Sequence, residues 1–204
     1  LMQLLWWFGI HGPNVMGAVT SPFMTKMMAT NLELYQTGEG VSASGVFYQA
    51  GSPYSIIASP FEAGWRCPTG SGITGGLIIA VLLFSKRDDF KAIAKLAIPC
   101  GIFNINEPII FGIPMVMNPM FAVPFFLAPI ACASLGYLVQ YLGLCPLFVI
   151  SVPWTTPVGL FGFLASSGNI MGGIWQAVII IAASTLIYTP FVIASNRQTD
   201  TAEI

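Results

Sequence analysis

Charge is what this chain has least of. Asp, Glu, Lys and Arg make up 7 % of it, where an ordinary soluble domain carries about 25 %. That is too little polar surface for a protein bathed in water. The net charge of −1 also excludes the basic footprint by which a protein grips nucleic acid. Histidine is nearly absent, with His11 alone. The four cysteines, Cys67, Cys100, Cys132 and Cys145, form no C-x-x-C pair, so neither a zinc site nor a dithiol motif is expected, only buried apolar cysteine.

What is present is apolar and interrupted. The hydrophobic fraction is 55 % and the mean hydropathy +0.79, with 21 glycines and 15 prolines among 204 residues. So many helix breakers suit a membrane bundle whose helices are broken where they line a cavity. The length leaves room for roughly five to seven spans of about 20 residues. Leu1 opens directly in apolar sequence, without the basic head and small-residue cleavage site of a signal peptide. The chain is therefore expected to be an internal or carboxy-terminal piece of a longer membrane protein.

Between Lys95 and Arg197 the sequence carries one charged residue, Glu107, inside Asn104-Ile105-Asn106-Glu107-Pro108. A charge at the bilayer centre costs roughly 2.5–3.5 kcal/mol on insertion scales, so such groups normally face a cavity and have a task. Two flanking amides and a helix-breaking proline mark a polar site. Glu107 has two uses: a protonated carboxyl holding helices together, or a general base working near neutral pH. Its partners alone separate them.

Along the chain, Leu1 to about Thr20 is apolar. Ser21–Thr69 is mixed, with Lys26, Glu33, Glu39, Glu62 and Arg66, and reads as loop, interfacial helix or partial re-entry. Gly70–Ser85 is a short apolar run. Lys86, Arg87, Lys91 and Lys95 then cluster, which by the positive-inside rule places that loop in the cytoplasm. Four apolar stretches follow: Leu96–Pro114, broken at the Asn-Glu-Pro phrase; Met115–Leu144; Cys145–Ser166, broken at Pro153-Trp154-Thr155-Thr156-Pro157; and Ile174–Ser195, whose sequel Arg197 suggests a cytoplasmic end. Four crossings satisfy that parity, and so do two crossings with two re-entrant hairpins. Irregular backbone survives at membrane depth only under cover of protein or water, which favours the hairpins. The expected fold is thus an all-α polytopic membrane protein, a helix bundle with two re-entrant hairpins around a central polar site.

Three further motifs carry chemistry. His11, in Gly9-Ile10-His11-Gly12-Pro13, is either an imidazole donating to a carbonyl freed by Pro13 or a ligand-contacting, proton-sharing partner of Glu107. Gly70-Ser71-Gly72-Ile73-Thr74-Gly75 matches G-x-G-x-x-G, but no βαβ unit surrounds it, so no dinucleotide cofactor is implied. Gly72 and Gly76 at G-x-x-x-G spacing allow close helix packing, and a backbone lining to a polar cavity is the sharper alternative. Trp154, Thr155 and Thr156 offer an indole face and hydroxyls suited to a sugar ring, or else Trp154 is an interfacial anchor.

Phe103–Gly112 with Pro114 and Asn118-Pro119, the later Pro-Trp-Thr-Thr-Pro and the early Gly-Ile-His-Gly resemble the membrane-spanning IIC component of the lactose/cellobiose/diacetylchitobiose phosphotransferase system. The resemblance covers nearly the whole chain and matches the carboxy-terminal, substrate-binding half of such a permease, without the amino-terminal half that forms most of the dimer contact. It implies that a disaccharide binds and that its 6-hydroxyl is phosphorylated by a phosphocysteine on a cytosolic IIB protein, in a multi-pass protein of the bacterial plasma membrane, a homodimer at full length. On this likeness Glu107 matches the acid beside the reacting hydroxyl and His11 the histidine near it. Asn104, Asn106, Ser71, Trp154 and Thr155 are the further candidates for sugar contact. No cysteine of this chain matches the phosphorylated one, and no metal is implied. A proton-coupled secondary sugar transporter, with Glu107 and His11 relaying a proton, is the alternative. An intramembrane hydrolase would need a paired acid, a Ser-His pair or an H-E-x-x-H motif, and no such set is evident.

Overall fold

In the computed structural model, which describes residues 1–43 and 45–200 and side chains through residue 196, the first apolar stretch is two helices rather than one. α1 (Met2–Trp7) ends where Gly9 takes a φ of +79°, and α2 (Gly12–Thr37) starts at His11. Gly12 lies against α1 so closely that a Cβ there would stand 2.0 Å from the Met2 carbonyl oxygen. α2 then runs unbroken through Pro22, Lys26 and Glu33 to a left-handed Gly38. The mixed segment beginning at Ser21 is thus helical for its first third, because Lys26 and Glu33 point to exposed or partly exposed positions and leave the apolar contacts intact.

A two-residue antiparallel ladder follows, β1 (Val41–Ser42) with β2 (Gly45–Val46), a small departure from an all-helical chain. A short turn α3 (Ser59–Phe61) continues into a π-helical turn, Glu62–Arg66. Next come α4 (Gly75–Phe84), α5 (Asp88–Ile102), α6 (Glu107–Gly112), α7 (Pro119–Tyr141), α8 (Leu160–Ala165) and α9 (Ile170–Asp200). Both interruptions expected from the sequence are present: the chain leaves helix between α5 and α6, and again between α7 and α8. Among the described residues, α7 and α9 are long and apolar enough to cross a membrane. Pro124, Pro129 and Pro190 are absorbed within them.

α9 is the axis on which the rest is assembled. α4 runs parallel to it: Gly76 lies against Ser184, and farther along, the Asn196 amide donates to Phe84 O (3.0 Å) while accepting from Lys86 N (2.8 Å). The basic loop after α4 therefore sits at the same end of the bundle as Asn196. The Arg197 side chain, taken from sequence as a cytoplasmic marker, lies outside the described residues. In that loop Arg87 stacks over Phe90 (3.7 Å to the ring centroid) and bonds Asp89, holding the Asp89 carboxyl below its usual range.

Of the G-x-x-x-G pair, only Gly76 serves helix packing. Gly72 is in the loop before α4 with a φ of +84°, and a Cβ there would meet the Phe125 ring. Cys132 and Cys145 are buried as expected, whereas Cys67 and Cys100 are partly exposed because each sits beside an interruption in the helices.

A Cβ at Gly76 would stand 2.3 Å from Ser184 Oγ and 2.4 Å from its carbonyl carbon, so neither helix can yield without a backbone shift. Gly76→Ala is expected to destabilise the bundle by about 1–3 kcal/mol, read as a lower melting temperature in detergent. An unchanged melt would contradict the α4–α9 contact.

Candidate functional site

The two interruptions and the glycine loop meet at one side chain. Asn104 follows α5 in the left-handed region (φ +66°), which asparagine tolerates better than most residues. Its Oδ1 accepts from Thr69 N (2.6 Å), and its Nδ2 donates to the carbonyl oxygens of Trp154 and of Thr156 (2.9 Å for Thr156). One buried amide thus joins the loop before α4, the α5–α6 break and the Pro-Trp-Thr-Thr-Pro break. Asn106 repeats the device: its Nδ2 donates to Ser71 O (2.7 Å). Gly70, with a φ of +87°, lies so close to Asn106 that a Cβ would come within 2.3 Å of its side chain.

The glycine loop is held in turn by α9, where the buried Tyr188 hydroxyl donates to Gly72 O (2.8 Å). Tyr188 is near the middle of α9, and from there to Asn196 the helix rises about 12 Å. The site is therefore well inside the bundle, away from the basic loop.

These elements wall a cavity of about 930 Å3. Glu107, His11, Asn104, Asn106, Ser71 and Trp154 all line it. Thr155 does not: its neighbours Trp154 and Thr156 turn their carbonyls to Asn104, and the Thr155 side chain is outside the lining set. Trp154 is 61 % exposed, an aromatic face available to a ligand. Ser71 is buried with its carbonyl engaged by Asn106.

Glu107 is the first residue of α6 and is followed by Pro108, where a carboxylate is favoured by the helix dipole. It is half-buried and has no ion-pair or hydrogen-bond partner among the described residues. This disfavours the purely structural use, since no helix is tied through it. His11 is the N-cap of α2, its Nδ1 accepting from Asn14 N (3.3 Å). The ring therefore accepts a backbone bond rather than donating to a carbonyl, because the Asn14 N–H lies in the first turn of α2, where no intrahelical carbonyl reaches it. With Nδ1 an acceptor, the neutral ring carries its proton on Nε2. The ring is packed beside Trp6 at 4.9 Å between centroids.

Among the lining residues that sequence reasoning missed are Glu62, Cys67 and Trp6. Glu62 forms an i,i+4 ion pair with Arg66 across the π-helical turn. The signal was the Glu62–Arg66 spacing around apolar Trp65, immediately before the glycine loop. No group of three or more metal-binding side chains occurs among the described residues.

Fold and site together define a mostly helical, apolar protein with a chamber between interrupted helices into which several polar side chains converge. The sequence profile of the family "Phosphotransferase system, EIIC" matches residues 1–129. The lichenan permease IIC component of Bacillus subtilis (strain 168) is 38 % identical over 197 residues, 96 % of this chain and 41 % of its own. The cellobiose-specific EIIC component of the phosphotransferase system of Lactococcus lactis subsp. lactis (strain IL1403) is 34 % identical over 213 residues, 98 % of this chain and 42 % of its own. The crystal structure of the transporter ChbC, the IIC component from the N,N'-diacetylchitobiose-specific phosphotransferase system, superposes with a TM-score of 0.87 at 34 % identity, covering 100 % of this chain and 44 % of that one. The chain belongs to the phosphotransferase system EIIC family. It spans about two fifths of the length of the curated relatives it matches.

Asn104→Asp keeps the acceptor for Thr69 N and removes both donors to the Trp154 and Thr156 carbonyls. It is expected to raise hydrogen exchange selectively over 153–159, leaving the Thr69 amide protected. Equal deprotection of both segments, or of neither, would contradict the joint described.

Proposed function

We propose that this chain is the carboxy-terminal, substrate-binding half (residues 1–204) of a multi-pass sugar permease in the bacterial plasma membrane. It binds a disaccharide of the cellobiose, lactose or diacetylchitobiose class and presents its 6-hydroxyl to a phosphocysteine on a cytosolic IIB protein. The observation that carries the reading is one chamber, about 930 Å3, uniting Glu107, His11, Asn106, Ser71 and Trp154 in an otherwise apolar bundle. That volume falls within the roughly 300–1,000 Å3 of small-molecule sites. The names of the relatives supply the sugar class, since they include cellobiose-specific and N,N'-diacetylchitobiose-specific components.

The two interrupted segments are re-entrant hairpins, one before the spanning helix α7 and one between the spanning helices α7 and α9. Their irregular backbone is covered by protein through Asn104, as membrane depth requires. α4 ends at the cytoplasmic basic loop, so the chamber lies near the bilayer midplane, as in carriers built on discontinuous helices. At full length the protein is a homodimer, its contact supplied by the amino-terminal half.

In the transfer step the sugar's 6-oxygen bonds to phosphorus as the phosphorus–sulfur bond breaks and the partner's cysteine departs as a thiolate. The hydroxyl proton passes to Glu107, whose carboxylate has no competing partner. His11 Nε2–H donates to a sugar oxygen and fixes the ring's orientation. Asn106 and Ser71 contribute polar edges, and Trp154 covers an apolar sugar face. Asn104 acts by shaping the chamber, its amide being committed to the backbone.

Phosphorylation of ¹⁴C-cellobiose, lactose and N,N'-diacetylchitobiose by the intact protein with its phosphocarriers tests the reading. Glu107→Gln should lower the rate by roughly 10²–10⁴-fold with sugar binding retained. Unimpaired phosphorylation by that variant would remove Glu107 from the step. Uptake of unmodified sugar driven by a proton gradient without phosphocarriers would overturn the group-transfer reading.

A further inference from the structure

Glu62 faces the same chamber as Glu107 but differs from it in every surrounding. It begins the π-helical turn Glu62–Arg66, a conformation rare in proteins and frequent at functional sites. That turn is clamped from behind at three points. Trp65 is fully buried and its ring stacks on Phe148 with 5.4 Å between centroids and 1° between planes. Gln176 Nε2 donates to Gly64 O (2.8 Å), while the same amide's Oε1 accepts from Gly159 N and Gly162 N. A Cβ on Gly64 would fall 2.6 Å from Phe148, so the backbone lies flush against that ring. The side chain above this rigid base remains 23 % exposed, and that of its partner Arg66 30 %.

A fixed carboxylate held by a guanidinium is an acceptor only, with lone pairs left over for hydroxyls. A partly exposed ion pair of this kind contributes little to stability. Its place in the chamber wall is better explained by what it can bind. We propose that Glu62 is a specificity-determining residue. Held by Arg66, its carboxylate accepts hydrogen bonds from a sugar hydroxyl other than the one that is phosphorylated, leaving Glu107 for the reacting oxygen. This rests on the disaccharide reading of the chamber. The two carboxylates then divide the work, one paired and fixed for recognition, one unpaired for the proton.

A site built to bond a hydroxyl strongly rejects the analogue that lacks it, because its own buried polar group is left without a partner. The experiment measures binding of cellobiose, lactose and N,N'-diacetylchitobiose to the intact protein in nanodiscs by calorimetry, then of monodeoxy derivatives of whichever sugar binds. One deoxy position should cost the wild type roughly tenfold or more in affinity and cost Glu62→Gln, whose neutral amide oxygen is a weaker acceptor, markedly less. In phosphorylation assays Glu62→Gln should raise KM more than it lowers kcat. If that variant does not fold, Glu62→Asp retains the charge with the acceptor withdrawn by one methylene, and should change the ranking of the same derivatives. An identical ranking in the wild type and the folded variant overturns the proposal and leaves the pair as a structural brace. Failure of the wild type to bind any of the three sugars overturns the disaccharide reading, and this proposal with it.

Discussion

The structure depends on one buried amide. Asn104 has a single side chain to offer and spends all of it on backbone: an acceptor for Thr69 N and two donors for the carbonyls of Trp154 and Thr156. Two helix breaks and a glycine turn would each leave unpaired N–H and C=O groups deep in an apolar bundle, at a cost of several kcal/mol apiece in hydrocarbon. Bringing them together around one amide satisfies part of that need. It also fixes their mutual register, so that Glu107 on α6, Ser71 on the loop and Trp154 on the second break open on a common space.

Around that joint, close contact takes over from polarity. Gly76 admits Ser184, Gly136 admits the Trp65 ring and Gly162 admits the Gly172 carbonyl, each where a Cβ would stand less than 3 Å from its neighbour. Between lipid-like surfaces the hydrophobic effect gives little preference for one helix partner over another, and small residues allow the backbone approach that does. Gln176 performs for the second helix break what Asn104 performs for the first, tying Gly159 and Gly162 to Gly64 across the bundle. The outcome is a chamber walled by the Glu62–Arg66 turn, the glycine loop and the two helix breaks, with His11 and the first turns of α2 on a further side.

Much of this was legible in the sequence where a residue violated its surroundings. Glu107 stood out because no other charge shared its hundred-odd neighbours, and both helix breaks announced themselves through proline beside polar residues. Glu62 escaped notice for the opposite reason: among Lys26, Glu33, Glu39 and Arg66 it looked like one more solvated charge. α2 was under-read because Pro22 and two charges imitate a boundary that a long helix tolerates. The role of Asn104 could not be seen at all, since its partners lie 35 to 52 positions away in sequence. Thr155 was chosen together with Trp154 on composition, and only the turn geometry shows that the carbonyls of Trp154 and Thr156 carry the contact to Asn104.

The central claim is a protein-shielded chamber in which the carboxylate of Glu107 meets a saccharide oxygen. A structure of the intact protein with a bound disaccharide tests it most directly. The account predicts the sugar between α2 and the α5–α6 break, with one hydroxyl within hydrogen-bonding distance of Glu107 and a ring face on Trp154. A sugar bound elsewhere, with Glu107 turned to lipid or solvent, would contradict it.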